Sequence, residues 1–304
     1  MMREDLSRPM PLRGTLRHAE PMSRHVSWRA GGCARTAYVP ADADDLAAFV
    51  ARQPADEALL FVGLGSNLLV RDGGYDGTVV FLHPSLSRID WLADRRVFVE
   101  AGVAAPKLAR LAANHGLTGA EFLAGIPGTI GGALTMNAGC HGAETWGIVS
   151  AVRTLDRAGN THTRTPADFE IGYRHVRGKT AAEEWFTGAW FALAAGDAAA
   201  SRARIKDLLA RRIASQPLSR PNCGSVFRNP PGDHAARLIE ACGLKGFCLG
   251  GACVSTKHAN FIVNAEGRAT AGDIEALIAH VARTVLARHG VALETEVHIV
   301  GRPA

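Results

Sequence analysis

Phe122-Leu-Ala-Gly-Ile-Pro-Gly-Thr-Ile-Gly-Gly-Ala-Leu-Thr-Met-Asn-Ala-Gly-Cys-His-Gly-Ala143 runs without an Asp, Glu, Lys or Arg. Its length and missing charge match a membrane span, but its composition argues against one. Gly125, Gly128, Gly131, Gly132, Gly139, Gly142 and Pro127 interrupt any continuous helix, because glycine and proline are the poorest helix formers. What remains is backbone that turns sharply and approaches a ligand closely, since glycine has no Cβ and accepts positive φ. The segment is expected to wrap a large cofactor, part polar and part aromatic, with main-chain N–H and C=O groups.

A second glycine loop lies upstream. The apolar run Leu59-Leu60-Phe61-Val62 reads as a buried strand and feeds into Gly63-Leu64-Gly65-Ser66-Asn67-Leu68-Leu69-Val70. Successive N–H groups in such a turn form an anion-binding nest. Gly63 and Gly65 alone are weak evidence for a dinucleotide fingerprint, because Leu68 stands at the third glycine position. Two such loops together strengthen the cofactor reading.

Between and beyond these loops the periodicities suggest helices over residues 42–53, 105–115, 200–213, 234–242 and 273–289. The last has Ile274, Leu277, Ile278, Val281 and Val285 on one face and Gly290 at its end. Strands are expected at 78–82, 97–101, 148–156, 161–165, 185–193, 261–263 and 297–300. The 304 residues suffice for two or three domains.

The chain carries a formal charge of +5, much of it arginine. The charge is dispersed rather than gathered in a basic block, which favours an anionic small molecule over nucleic acid. The six cysteines include no C-x-x-C pair, and the Arg-rich start has no apolar secretory core. A cytoplasmic protein with reduced thiols is expected. A zinc site from Cys242, Cys248 and Cys253 has no usual ligand spacing and ranks below buried structural thiols.

Three further places offer reactive groups. Tyr173-Arg174 sits between strands, where a salt-bridged arginine is the ordinary reading. Ser225 follows a glycine in Cys223-Gly224-Ser225-Val226-Phe227-Arg228-Asn229-Pro230, where a turn serine capping backbone is the ordinary reading. Glu294 and Glu296 alternate along an extended segment and so share a side; spacing does not choose between them.

Together these segments resemble the UDP-N-acetylenolpyruvoylglucosamine reductase family over nearly the whole chain. The matching pieces, in order, are Ser27-Trp28-Arg29-Ala30-Gly31-Gly32, Gly63 to Val70, Ala124 to Gly132, Met136-Asn137-Ala138-Gly139, Tyr173-Arg174, Gly224 to Pro230, Val254 to Phe261 and Leu293 to Val297. The resemblance implies an α+β protein: a two-subdomain FAD-binding fold of the vanillyl-alcohol-oxidase type plus a third α/β substrate-binding domain. The expected division is a flexible leader over 1–21, FAD subdomains over 22–84 and 85–196, and a substrate domain over 197–294. Residues 295–304 would return to the first subdomain as a strand.

The implied reaction is NADPH-dependent reduction of UDP-N-acetylglucosamine enolpyruvate to UDP-N-acetylmuramate through non-covalent FAD, by a monomer with no nucleic-acid or membrane partner. By resemblance Arg174 and Glu296 polarise the substrate carboxylate, with Glu296 chosen over Glu294, and Ser225 is the general acid. FAD would meet Gly63, Gly65, Ser66, Asn67 and Leu68 at its diphosphate, and Gly125, Ile126, Thr129, Ile130, Gly132 and Asn137 along the rest. Tyr173, Arg228 and Asn229 are the substrate-binding candidates, and no metal is expected. The chain departs from the family in having Arg228 where lysine is common and His175-Val176 where a serine is common. The short path from Arg174 to Trp185 suggests the subtype without an extra tyrosine loop. Cys223 is a possible oxidation-sensitive neighbour of Ser225. The competing readings are another FAD oxidoreductase on the same scaffold and a non-catalytic UDP-sugar-binding regulator.

Overall fold

The strand Leu59–Val62 lies at the edge of a four-stranded sheet in a computed structural model that describes residues 11–180 and 182–304. It runs parallel to Tyr75–Phe81, which runs parallel to Cys33–Val39. Helix α1 (Ala43–Val50) covers this sheet, capped by the Asp42 carboxylate on the Asp45 N–H. Leu46, Phe49 and Val50 of α1 pack with Tyr38, Leu59 and Val80.

The fourth strand corrects the expected leader. Thr15–Pro21 pairs antiparallel with Cys33–Val39, and only residues 1–10 of the leader fall outside the described part. Most side chains of Thr15–Pro21 are exposed, so no hydrophobic pattern announced the strand; ladder hydrogen bonds form it. Just before it, the Arg13 N–H donates to the buried Asp45 carboxylate, and the Gly14 N–H to the Tyr38 hydroxyl.

A second, antiparallel sheet follows in the order Thr161–Arg164, Val149–Asp156, Glu184–Ala192, Arg96–Glu100, Ile89–Trp91. Helix α2 (Ala105–Asn114) and the glycine-rich segment pack on it. That segment folds as a turn of 3-10 helix, Glu121–Gly125, a bend at Pro127-Gly128, and the short helix α3 (Ile130–Thr135). Beside the sheet, Phe169–Gly172 and His175–Gly178 form a hairpin with Tyr173-Arg174 at its turn. The hairpin is half-exposed on both faces, which hid it from the periodicity.

Helix α4 (Ala198–Ser215) contains the helix expected to open the third unit, yet it packs on the second. Ile205 joins the second unit's core, and the Ser201 hydroxyl donates to buried Glu121. A helical stripe records that one face is buried, not which core buries it.

The third unit holds the hairpin Cys248–Leu249 with Ala252–Val254, the strand Ile262–Asn264, and helices α5 (Ala235–Ala241) and α6 (Ala271–His289). The expected stripe on α6 is buried; Thr270 and Asp273 form its capping box and Gly290, at φ 68°, ends it. Trp28 and Leu69 of the first unit join this core, and the Trp28 indole donates to the Ile262 carbonyl. The last strand, His298–Val300, runs parallel to Leu68–Val70 of the first unit.

The expectation that all thiols are reduced is corrected here. Cys248 and Cys253 are direct cross-strand partners, and this register brings their sulfurs into a disulfide. Cys242 stands apart, buried, with its sulfur near the Thr284 carbonyl. No helix among the described residues is long and apolar enough to cross a membrane.

Candidate active site

Gly63 and Gly128 stand where the two glycine loops meet. A Cβ on Gly63 would lie 2.2 Å from the Thr129 hydroxyl oxygen, and one on Gly128 would lie 3.2 Å from the Ser66 hydroxyl. Gly65 has φ +57°, and its absent side chain leaves room for the His25 carbonyl. A cleft of about 730 Å³ opens along the facing loops. That volume is within the usual range for a cofactor pocket. One part of its wall is apolar and aromatic, with Leu60, Phe61, Leu82 and Trp185. Another carries Arg174, Ser225, Glu296 and His298.

The loops, the aromatic wall and the polar group fit a cofactor such as FAD, which has both aromatic and anionic parts. Of the residues expected at FAD, Gly63, Gly65, Ser66, Asn67, Leu68, Gly125, Ile126, Thr129 and Gly132 line the cleft. Ile130 does not; its side chain is fully buried in the core beneath α3. Asn137 does not either. Its amide donates to the Glu144 carboxylate and the Gly172 carbonyl, and its Oδ1 accepts from the Trp146 N–H. Asn137 therefore supports the hairpin that bears Arg174.

Arg174 occupies the hairpin turn at φ 53°, a left-handed conformation that costs a non-glycine residue roughly 1–2 kcal/mol. Its side chain is fastened at several points. Nε donates to Glu296 Oε1 at 3.0 Å, Nη2 to the Gly139 carbonyl at 2.9 Å and Nη1 to the Asn137 carbonyl at 3.4 Å. The guanidinium also lies 4.9 Å from the Tyr173 ring centroid. The turn's own carbonyl, that of Arg174, accepts from Arg228 Nη2 at 3.2 Å.

Glu296 reaches the site through backbone pairing. Thr295 bridges antiparallel to Phe227, and the Glu296 N–H donates to the Val226 carbonyl at 2.7 Å. This bridge sets Glu296 beside the segment that begins with Ser225. The Asn67 amide donates to the Glu296 carbonyl, tying the first glycine loop to the same place. Burial pushes the Glu296 carboxyl above its ordinary value, with the Arg174 charge pulling it back.

The two glutamates differ in burial. The Glu296 side chain is 16% exposed against Arg174, whereas Glu294 is 77% exposed, at 3.6 Å from Arg228. Burial thus chooses the glutamate that spacing left open.

Of the substrate-binding candidates, Tyr173, Arg228 and Asn229 stand outside the cleft lining. Asn229 is exposed, and its Oδ1 accepts from the Ala235 N–H at the start of α5. Cys223 is buried with its sulfur against the Gly65 and Leu68 carbonyls, and burial pushes its thiol up to about 12. That placement makes it a structural thiol rather than a reactive neighbour of Ser225.

Sequence reasoning did not single out Arg212, Gln216 or His298, which also line the cleft. Arg212 ends a basic pair on α4, and nothing in its spacing separates it from a solvated arginine. His298 faces Met136, its Nε2 3.0 Å from the sulfur; a polar residue within an apolar terminal strand was the signal available for it.

Two family models match the chain. One is the C-terminal domain of UDP-N-acetylenolpyruvoylglucosamine reductase, over residues 216–300; the other is an FAD binding domain, over residues 34–164. A reductase of that name from Thiobacillus denitrificans is 60% identical, across 95% of this chain and 93% of the relative. The one from Nitrosospira multiformis is 56% identical, across 96% and 90%. A crystal structure of the Thermus caldophilus reductase superposes with a TM-score of 0.79 at 30% identity, across 94% of this chain and 98% of that one.

Proposed function

The chain belongs to the UDP-N-acetylenolpyruvoylglucosamine reductase family and is an FAD-binding oxidoreductase of peptidoglycan precursor synthesis, and on that footing we propose how its own residues divide the reaction. The two glycine loops, residues 63–68 and 125–132, would hold FAD, which would supply hydride transfer from NADPH to C3 of the enolpyruvyl group. The protein's part is to bind the substrate carboxylate, stabilise the charge that develops at C2, and supply the proton that quenches it.

Arg174 and Glu296 take the first two tasks. As hydride adds to C3, negative charge spreads from C2 into the carboxylate. A fixed guanidinium aimed there stabilises that charge without reorganising, and such preorganised electrostatics is often the largest catalytic contribution. Glu296 helps when protonated, as a hydrogen-bond donor. Its burial favours that form. Ser225 takes the third task. A hydroxyl is a weak acid, so it serves only when held against the nascent carbanion. Asn260 supports such placement: its carbonyl accepts from the Val226 N–H, and its side chain pairs with both backbone groups of Phe227.

The observation that supports this reading most is the meeting of Arg174, Ser225 and Glu296 on one stretch of one cleft. All three come from a single chain, in keeping with a monomer. UDP-activated precursors and NADPH are cytoplasmic reactants, and we assign the enzyme to the cytoplasm.

The test separates the two half-reactions anaerobically. Ser225→Ala should leave flavin bleaching by NADPH nearly unchanged. Recovery of absorbance on adding the enolpyruvyl substrate should slow by about 10²–10⁴. An equal fall in both halves would give Ser225 a structural or cofactor-holding role instead.

A further inference from the structure

Beside the cofactor cleft lies a second pocket, of about 360 Å³. Arg29, Arg212 and Arg220 stand on its wall with Ser27, Ser66 and Asn222, and its lining contains no Asp or Glu. Among the described residues, none of these three arginines pairs with a carboxylate. Arg212 donates through Nε to the Gln216 side chain at 2.9 Å, and Arg220 through Nη1 to the Ala265 carbonyl at 3.3 Å.

Elsewhere the chain commonly matches its arginines with acids, as in Arg71–Glu275, Arg153–Glu100 and Arg164–Glu184. Three cations around one concavity repel each other unless an anion sits among them. Arg212 is also partly withdrawn from water, which disfavours its charged form. Guanidinium forks beside the Ser27 and Ser219 hydroxyls are the chemistry that binds phosphate; the Asn222 amide shapes the loop instead, donating to the Pro217 and Arg220 carbonyls.

The pocket's position narrows the ligand. Ser66, Pro127, Arg212 and Gly224 line both the pocket and the cleft, so the two spaces adjoin. Gly224 directly precedes Ser225, whose assigned proton transfer brings a reactant to that side. Both reactants, NADPH and the UDP-sugar, carry a diphosphate. We propose that the Arg29–Arg212–Arg220 pocket binds the diphosphate of a reactant nucleotide, apart from the diphosphate of FAD. The inference rests on the reaction assigned above.

The experiment uses FAD-loaded Arg29→Ala/Arg220→Ala protein, both residues being exposed. Anaerobic flavin reduction is followed against NADPH concentration, and reoxidation against the enolpyruvyl substrate. The apparent Kd of at least one reactant should rise roughly tenfold or more. Its limiting rate should change little, and FAD should be retained. Inorganic pyrophosphate should compete with that reactant in the wild type and much less in the variant. The arm that shifts identifies the source of the phosphate; a shift in both supports a site used in turn. Unchanged constants for both reactants would overturn the proposal. So would a variant that loses FAD while its remaining holoenzyme binds both reactants normally. Failure of the wild type to turn over would strike the reaction assignment instead.

Discussion

Arg174 and Glu296, 122 positions apart in the chain, meet through a hydrogen bond of 3.0 Å from Nε to Oε1. The Nε–H meets one carboxyl oxygen, one N–H of each terminal nitrogen is fastened to a backbone carbonyl, and two N–H groups remain to face a substrate. Lysine cannot reproduce that fork. Arg174→Lys should lower kcat/KM for the enolpyruvyl substrate by about 10²–10³. Flavin reduction by NADPH should be little changed. Glu296→Gln, which keeps a hydrogen-bonding head, should retain more activity than Glu296→Ala. Equal losses in the two Glu296 variants would remove the donor role.

Glu296 also sets a pH dependence of stability. Burial holds its carboxyl above the ordinary 4.5, while Arg174 and Arg228 pull it down. The folded state therefore binds this proton more tightly than the unfolded chain. The resulting stabilisation is complete below the unfolded value and disappears as pH rises through the folded one. Glu296→Gln cannot ionise and escapes that loss. Relative to wild type, its Tm should improve progressively as pH rises above the ordinary carboxylate value. Thermal unfolding against pH measures it, and a constant or opposite difference contradicts it.

The loop apposition at Gly63 is open to a steric test. A Cβ there meets the Thr129 hydroxyl oxygen at 2.2 Å and Cγ2 at 2.9 Å, and Thr129 is buried. Gly63→Ala should cost about 1–3 kcal/mol of stability through overpacking. It should also weaken FAD binding, read by fluorescence titration of the apoprotein. Adding Thr129→Ala removes the two closest atoms and should restore part of both. If the double variant bound FAD no better than Gly63→Ala, the contact would not be the cause.

Asn260 supports a different element. It is 3% exposed, and its side chain satisfies the Phe227 N–H at 3.0 Å and the Phe227 carbonyl at 2.8 Å. Asn260→Ala strands both groups in the interior and should cost about 2–4 kcal/mol. Because Ser225 lies two residues away, reoxidation by the substrate should slow more than flavin reduction. Denaturant unfolding with the half-reaction kinetics checks this; a cost below about 1 kcal/mol would mean that water reaches Phe227.

The parts of the fold that were legible are those written in neighbouring residues. Ile274, Leu277, Ile278, Val281 and Val285 announce α6 because a helix repeats its face every 3.6 residues. Gly63, Gly65, Gly125 and Gly128 announce ligand-hugging loops because glycine is enriched where backbone must come close. The order of the short motifs pointed to the family and, through it, to Arg174, Ser225 and Glu296.

Other features depend on partners distant in the chain. Thr15–Pro21 is a strand because Cys33–Val39 offers an edge, and its exposed side chains leave no periodic trace. The periodicity over residues 200–213 did not say that Ile205 packs on the second unit's core or that Leu209 and Ile213 stay exposed. Cys248 and Cys253 join because a hairpin register aligns them. Periodicity thus settled which face of α6 turns inward. Only the folded chain decided which distant groups meet: the bridge from Thr295 to Phe227 buries Glu296 against Arg174 and leaves Glu294 in water. Local pattern is set by bonds between near neighbours, whereas burial and charge pairing arise from approach through space.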